Sequence, residues 1–252
     1  MFSLDLKDRV AWVSGGSRGI GRSSALLLAE AGCNVAITYK SNVDAANAVV
    51  EQIEKMGRKA IATKADVSSF DECSASYSSI VSLLGEVDIL VTCAGITLSK
   101  LFLNTEDADW DALYNTNIKG TKNPITLVGP SMMQKRRGKI ITISSVASIK
   151  ANYGQAAYAV TKGGIESLTR CLAVELGRYG ITVNCISPGM VLTDMISEFV
   201  AAGFGDKILE KQIIKRFAEP KEIAYWVVFL ASECSDYMTG QIIYLDGGVK
   251  MP

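Results

Sequence analysis

Val10-Ala11-Trp12-Val13-Ser14-Gly15-Gly16-Ser17-Arg18-Gly19-Ile20-Gly21 decides the fold. A short apolar run, Val10–Ser14, reads as a buried strand and stops at a glycine-rich turn, after which Arg22–Ala31 carries a helical pattern. Glycines at 15, 19 and 21 let the backbone turn sharply and approach a ligand closely. The free N–H groups and dipole of the helix that follows attract a phosphate. Strand, glycine turn and helix in that order predict a cradle for a dinucleotide pyrophosphate, with Ser17, Arg18 and Ile20 between the glycines as further contacts. Gly16 to Ser23 also spells Gly-x-x-x-x-Gly-Arg-Ser, one residue away from the loop of nucleotide hydrolases. Arg22 stands where that loop needs lysine, and no strand ends in a well-placed Asp for magnesium, so the dinucleotide reading is preferred.

Outward from this unit, apolar β-branched runs recur at Val35–Tyr39, Ala60–Lys64, Ile89–Thr92, Lys139–Ser144, Thr182–Ser187 and Ile242–Leu245. Longer helical patterns separate them. One is Val43, Ala46, Val50, Ile53 and Met56, with Gly57 as a stop. Repeated strand-helix-strand units predict an α/β, doubly wound (Rossmann) three-layer sandwich on a seven-stranded parallel sheet. No linker or repeat divides the chain, so residues 1–252 read as a single dinucleotide-binding oxidoreductase domain. Within 192–217, Gly203 and Gly205 interrupt a helical pattern, which reads either as a substrate-side lid or as an ordinary helical insertion.

Composition narrows the chemistry. The 252 residues are 48% hydrophobic, and 26 basic residues balance 26 acidic ones, so neither nucleic acid nor an anionic membrane surface is expected as a partner. No signal peptide and no membrane-spanning run is evident, and six scattered cysteines suggest buried thiols in a reducing compartment; a cytoplasmic protein is expected. Histidine is absent, which removes a Ser-His-Asp triad, a histidine base and a histidine-ligated zinc; no metal is expected.

The end of the second strand bears on which dinucleotide is used. An acidic residue there would bind the ribose 2′-hydroxyl of NAD and repel a 2′-phosphate, but the chain has Tyr39 and Lys40. With Arg18, Lys40 places two cations to flank a 2′-phosphate, favouring NADP(H); alone, Lys40 reads as a solvated lysine. Farther on, Ser145 follows a central strand, and Tyr158 and Lys162 lie four apart on one helix face. Tyrosine is a poor acid-base catalyst at neutral pH unless a nearby ammonium favours its phenolate, which Lys162 can supply. A hydroxyl at Ser145 suits a developing oxyanion. On its own, Tyr-x-x-x-Lys is also what a packed tyrosine beside a snorkelling lysine looks like.

Taken together, these residues resemble the short-chain dehydrogenase/reductase family over residues 5–250. Gly15, Gly19 and Gly21 match the family's glycine loop, Asp66-Val67 its adenine-contacting pair, and Ala94-Gly95 the end of its Asn-Asn-Ala-Gly segment. Asn117, Ser145, Tyr158 and Lys162 match its four catalytic residues, while Pro188-Gly189, Val191 and Thr193 match the loop that holds the nicotinamide. The resemblance implies that Tyr158 and Lys162 also contact the cofactor, and that Asn117 kinks its helix and anchors a water linked to Lys162. Two departures stand out: Thr92 and Cys93 replace the family's asparagines, which puts cofactor geometry in question.

Nearer similarity is to the 3-oxoacyl-[acyl-carrier-protein] reductases, through residues 132–138, Gly154-Gln155-Ala156-Ala157-Tyr158, and Thr239-Gly240-Gln241 with Asp246-Gly247-Gly248. That likeness implies NADPH-linked reduction of a 3-oxoacyl thioester, on acyl carrier protein or CoA, in fatty acid biosynthesis. It also implies docking of the acidic carrier at Arg136, which reads equally as a helix-end arginine, and a homotetramer. Leu98-Ser99 and Asn104-Thr105 replace that subfamily's usual pairs, leaving a broad carbonyl reductase or alcohol dehydrogenase as the alternative; a non-catalytic sensor or scaffold of the same fold is a third.

Overall fold

The computed structural model describes residues 4–194, 196, 209–210 and 212–249. Its sheet is built from β1 (Val10–Ser14), β2 (Asn34–Tyr39), β3 (Ala60–Lys64), β4 (Ile89–Thr92), β5 (Gly138–Ile143), β6 (Ile181–Pro188) and β7 (Ile242–Leu245). They stand in the order β3-β2-β1-β4-β5-β6-β7, and every pairing is parallel. The expected doubly wound fold is therefore present. β5 begins one residue earlier than the apolar pattern indicates, because Gly138 pairs with Ile181 and a glycine contributes no side chain to the pattern. It also ends earlier, at Ile143, leaving Ser144 beyond the strand with its N–H on the Ile186 carbonyl.

The helices are α1 (Gly19–Glu30), α2 (Val43–Lys55), α3 (Phe70–Leu84), α4 (Asp107–Leu113), α5 (Gly120–Lys135), α6 (Ala156–Gly177) and α7 (Pro220–Ala231). On one face of the sheet, Ala25 and Leu28 of α1, Val49 and Ile53 of α2 and Val227 of α7 cover Val13, Ile37, Val91 and Ile141. On the other, Ile80 of α3, Val128 and Met132 of α5 and Ala173 of α6 cover Trp12, Leu90, Ile140 and Val183. The strand order reverses between β1 and β4, which opens the crevice where ligands bind in such sheets.

Two local readings change. The α2 stripe is Ala46, Val49 and Ile53, whereas Val43 and Met56 are exposed because the helix is capped at Asn42 and ends at Lys55. Cys33, Cys73 and Cys185 are buried as expected, but Cys171 and Cys234 are exposed. The stretch expected to form a lid, 192–217, falls largely outside the described residues. Among the described residues no helix is long and apolar enough to cross a membrane.

Trp12 anchors the second face: it is fully buried, stacks on Tyr77 at 6.0 Å and donates its indole N–H to Thr38 Oγ1 at 2.9 Å. Trp12→Ala should cost about 3–5 kcal/mol, or about 10 °C in Tm, read by thermal and urea unfolding. A loss below about 1 kcal/mol would contradict this packing.

Candidate active site

The glycine turn is forced by space. Gly15 has φ +67°, and a Cβ there would lie 2.8 Å from Ala94 Cα; at Gly21 it would lie 2.2 Å from the Gly15 carbonyl oxygen. α1 begins at Gly19, three residues before its side-chain pattern does, so the turn delivers the helix's unpaired N–H groups directly to the crevice between β1 and β4. Across the crevice, a Cβ on Gly19 would meet Thr193 Cγ2 at 3.3 Å, which places the 188–193 loop against the glycine loop. This bare, amide-rich cradle fits a pyrophosphate. Ser17 is half-buried in the loop, Ile20 packs on the core, and Val191 bridges Ala218. Pro188 closes β6, and Gly189 lies so near Asp246 that a Cβ would come within 2.7 Å of its Cα. Arg22 turns away to donate to Gln52 Oε1 at 3.0 Å, which is no place for a phosphate-gripping lysine substitute.

Beyond the turn, Tyr39 ends β2, and Lys40 Nζ reaches Asp66 Oδ2 at 2.6 Å. Burial raises the Asp66 carboxyl, but the Lys40 ammonium and the Ser68 hydroxyl and amide outweigh it and hold the group below its usual value. Val67 is buried beneath α5: Asn123 Nδ2 donates to its carbonyl at 3.0 Å, and Gly120 leaves room for its side chain. Arg18 faces Asp194 at 3.7 Å, with both side chains exposed. Each of the two cations expected at a 2′-phosphate is thus next to a carboxylate.

Asn117 lies in a π-helical turn, Tyr114–Lys119, between α4 and α5, a bulge of the kind at which helices bend. Its side chain is fully buried and fully used: Oδ1 accepts the Ile96 N–H at 2.9 Å, and Nδ2 donates to the Ile96 carbonyl and to Thr161 Oγ1, both at 3.0 Å. The turn is thereby tied both to the chain leaving β4 and to α6. Lys162 is 6% exposed; Nζ donates to the Ile143 carbonyl at 3.0 Å and sits 5.7 Å from the centre of the Tyr158 ring. Gly95 backs onto both groups, since a Cβ there would be 3.2 Å from Asn117 Oδ1 and 3.5 Å from Lys162 Nζ. Ser145 begins a 3-10 turn, Val146–Ser148, and Oγ accepts the Ala147 N–H at 3.2 Å, leaving its own hydrogen to donate.

The segment before Ala94 is held from the neighbouring strand. Ser14 Oγ accepts the amides of Cys93 and Ala94 at 3.1 and 3.3 Å and so shapes the end of β4. Thr92 Oγ1 is buried without a hydrogen-bond partner among the described residues. Sequence reading missed Ser14, Thr161 and Glu166. Glu166 was signalled only by its spacing of four from Lys162, which puts it on the same helix face. Arg136 caps α5 at the end of the sheet where β5 begins, a strand length of about 20 Å from Ser145, and donates to the Arg178 carbonyl at 2.8 Å.

Known proteins match along almost the whole chain. A family model described as enoyl-(acyl carrier protein) reductase matches residues 15–250. The 3-oxoacyl-[acyl-carrier-protein] reductase FabG of Staphylococcus epidermidis is 43% identical over 244 residues, covering 97% of this chain and 100% of that one. A 3-oxoacyl-[acyl-carrier-protein] reductase of Synechocystis sp. is 37% identical, covering 98% of each. Among solved structures, a short-chain type dehydrogenase/reductase from Mycobacterium marinum superposes with a TM-score of 0.94 at 31% identity, covering 99% of this chain and 98% of that one.

Cys93 is half-buried by exposure, and its packed surroundings raise the thiol to about 11, the Lys162 ammonium only partly opposing it. Below pH 10 it stays a neutral thiol, so iodoacetamide at pH 8 should label the exposed Cys171 and Cys234 first and leave Cys93 at least about tenfold slower by peptide mass mapping. Labelling of Cys93 at the rate of the exposed thiols would contradict this site.

Proposed function

The chain belongs to the short-chain dehydrogenase/reductase family, and from that premise we propose that it reduces a ketone to a secondary alcohol with NADPH, its substrate a 3-oxoacyl thioester. One observation carries the chemistry: the buried Lys162 ammonium stands over the Tyr158 ring at the end of β5, beside Gly95 and Asn117. Gly15, Ser17, Arg18, Gly19, Ile20 and Gly21 would hold the pyrophosphate side, Tyr39, Lys40, Asp66 and Val67 the adenosine, and Ala94, Gly95, Pro188, Gly189, Val191 and Thr193 the nicotinamide side. When bound, the dinucleotide supplies the hydride that the carbonyl carbon accepts.

The remaining work falls to this chain's side chains. Ser145 donates its free hydrogen to the carbonyl oxygen, a bond that strengthens as the oxygen gains charge. Tyr158 delivers its phenolic proton to that oxygen, so the alcohol leaves neutral and the tyrosine is left as phenolate. Lys162 stabilises that phenolate electrostatically. Asn117 holds the π turn on which, in this reading, a water-linked path returns a proton through Lys162.

The thioester follows from relatives named 3-oxoacyl-[acyl-carrier-protein] reductases. Changes at Leu98-Ser99 and Asn104-Thr105 favour a second reading, a broader ketone reductase. NADPH is preferred because Arg18 and Lys40 can exchange their carboxylates for a 2′-phosphate. Carrier docking at Arg136 goes with the homotetramer: within one chain Arg136 and Ser145 stand at opposite ends of β5, so Arg136 would serve a neighbouring subunit.

NADPH oxidation should be followed with acetoacetyl thioesters on carrier protein and on CoA, beside simple ketones, diketones and a crotonyl thioester. The acetoacetyl thioesters should lead the simple ketones by at least about tenfold in kcat/KM, with no turnover of crotonyl thioester. Simple ketones in the lead would establish the second reading, and crotonyl reduction would overturn ketone chemistry. NADPH should outperform NADH in the same assay, and equal or better use of NADH would overturn the cofactor assignment. Arg136→Glu should raise KM for the carrier-bound thioester alone, and an unchanged KM would remove the docking role.

A further inference from the structure

One turn after Lys162, on the same face of α6, Glu166 is a carboxylate with its side chain 4% exposed. A buried carboxylate is tolerated only when its oxygens are satisfied, and here the donors come from separated parts of the chain. Oε1 lies 3.1 Å from Ser144 Oγ and accepts from Ser148 Oγ at 2.5 Å. Oε2 accepts from the Tyr244 hydroxyl of β7 at 3.3 Å and has Arg170 at 3.7 Å. Ser144 Oγ also lies 2.9 Å from the Lys162 carbonyl, so its single hydrogen is shared between two acceptors on α6.

The chain order of these donors matters. Ser144 and Ser148 bracket Ser145, and the 3-10 turn they close is the one whose Ala147 N–H points at Ser145 Oγ. Among the described residues, no other hydrogen bond fixes the direction of the Ser145 side chain within that turn. One carboxylate thus fastens both sides of the turn to the helix that carries Tyr158 and Lys162.

We propose that Glu166 is a positioning residue: by gripping Ser144 and Ser148 at once it holds the Ser145 hydroxyl in register with Tyr158 and Lys162. This rests on the ketone-reduction reading only for its kinetic consequence; the anchoring itself is independent of substrate. A glutamine amide oxygen can accept the same two serine hydrogens, while alanine can accept none.

The test compares wild type, Glu166→Ala and Glu166→Gln by hydrogen exchange and, with whichever ketone the wild type reduces best, by steady-state kinetics. In Glu166→Ala, the amides of Ser148, Ile149 and Lys150 should exchange at least about tenfold faster while those of β1 stay unchanged. Its kcat should fall at least about tenfold, with KM and the NADPH Kd from fluorescence titration within about threefold of wild type. Glu166→Gln should restore both readouts to within about threefold. Unchanged exchange in Glu166→Ala, or faster exchange with undiminished kcat, overturns the proposal, as does a Gln variant as impaired as Ala. If Glu166→Ala does not fold, Ser148→Ala removes one arm of the grip and should reproduce the faster exchange at Ile149 and Lys150; slow exchange there overturns it too. A wild type inactive on every ketone would refute the ketone-reduction reading, and the exchange comparison would still decide whether Glu166 anchors the turn.

Discussion

The ammonium of Lys162, 6% exposed and bonded to the carbonyl at the end of β5, is the contact around which the rest of the site is arranged. A buried ammonium left without acceptors would cost several kcal/mol, so the chain around it is constrained. Ile143 must end its strand there, a Cβ on Gly95 would crowd Asn117 Oδ1 at 3.2 Å, and α6 must approach closely enough for Ser144 to reach the Lys162 carbonyl. The π turn contributes the third side, because Asn117 clamps Ile96 and Thr161 simultaneously. Sheet, bulged helix and α6 are thereby fixed relative to one another before any ligand binds, which is what the proposed electrostatic mechanism needs.

Thr92 and Cys93 stand where the family resemblance leads one to expect asparagines, and their surroundings differ. Ser14 on the neighbouring strand takes the Cys93 and Ala94 amides, so the chain still turns correctly toward Gly95. The residue that loses is Thr92, whose hydroxyl is buried without a partner among the described residues, at a cost of about 1–3 kcal/mol. The penalty falls on the strand rather than on the groups facing the crevice.

How much was legible in the sequence depended on whether a residue acts through local backbone or through distant partners. The glycine turn is readable because its requirement is local: positive φ at Gly15 and Gly19 and no room for a Cβ at Gly21. The strands are readable because both faces of the sheet are covered, giving continuous apolar runs. The helix face shared by Tyr158 and Lys162 follows from spacing alone. Glu166 has the same spacing, yet a glutamate four residues after a lysine ordinarily reads as a solvated surface charge. Its burial comes from Ser144, Ser148 and Tyr244, the last 78 residues away. The ion pair between Lys40 and Asp66 was hidden for the same reason, since it joins residues that follow two different strands. Arg136 shows the converse: a docking candidate by position, it holds the Arg178 carbonyl at the end of β5 opposite Ser145.

In the proposed mechanism Tyr158 is the acid at a site preorganised by Lys162. Its most direct test is the single-atom change Tyr158→Phe, which removes the proton and keeps the ring that Lys162 faces. Turnover of the best ketone should fall by about 10²–10⁴-fold while the NADPH Kd stays within about threefold of wild type. Turnover close to the wild-type rate, with the cofactor still bound, would contradict the account.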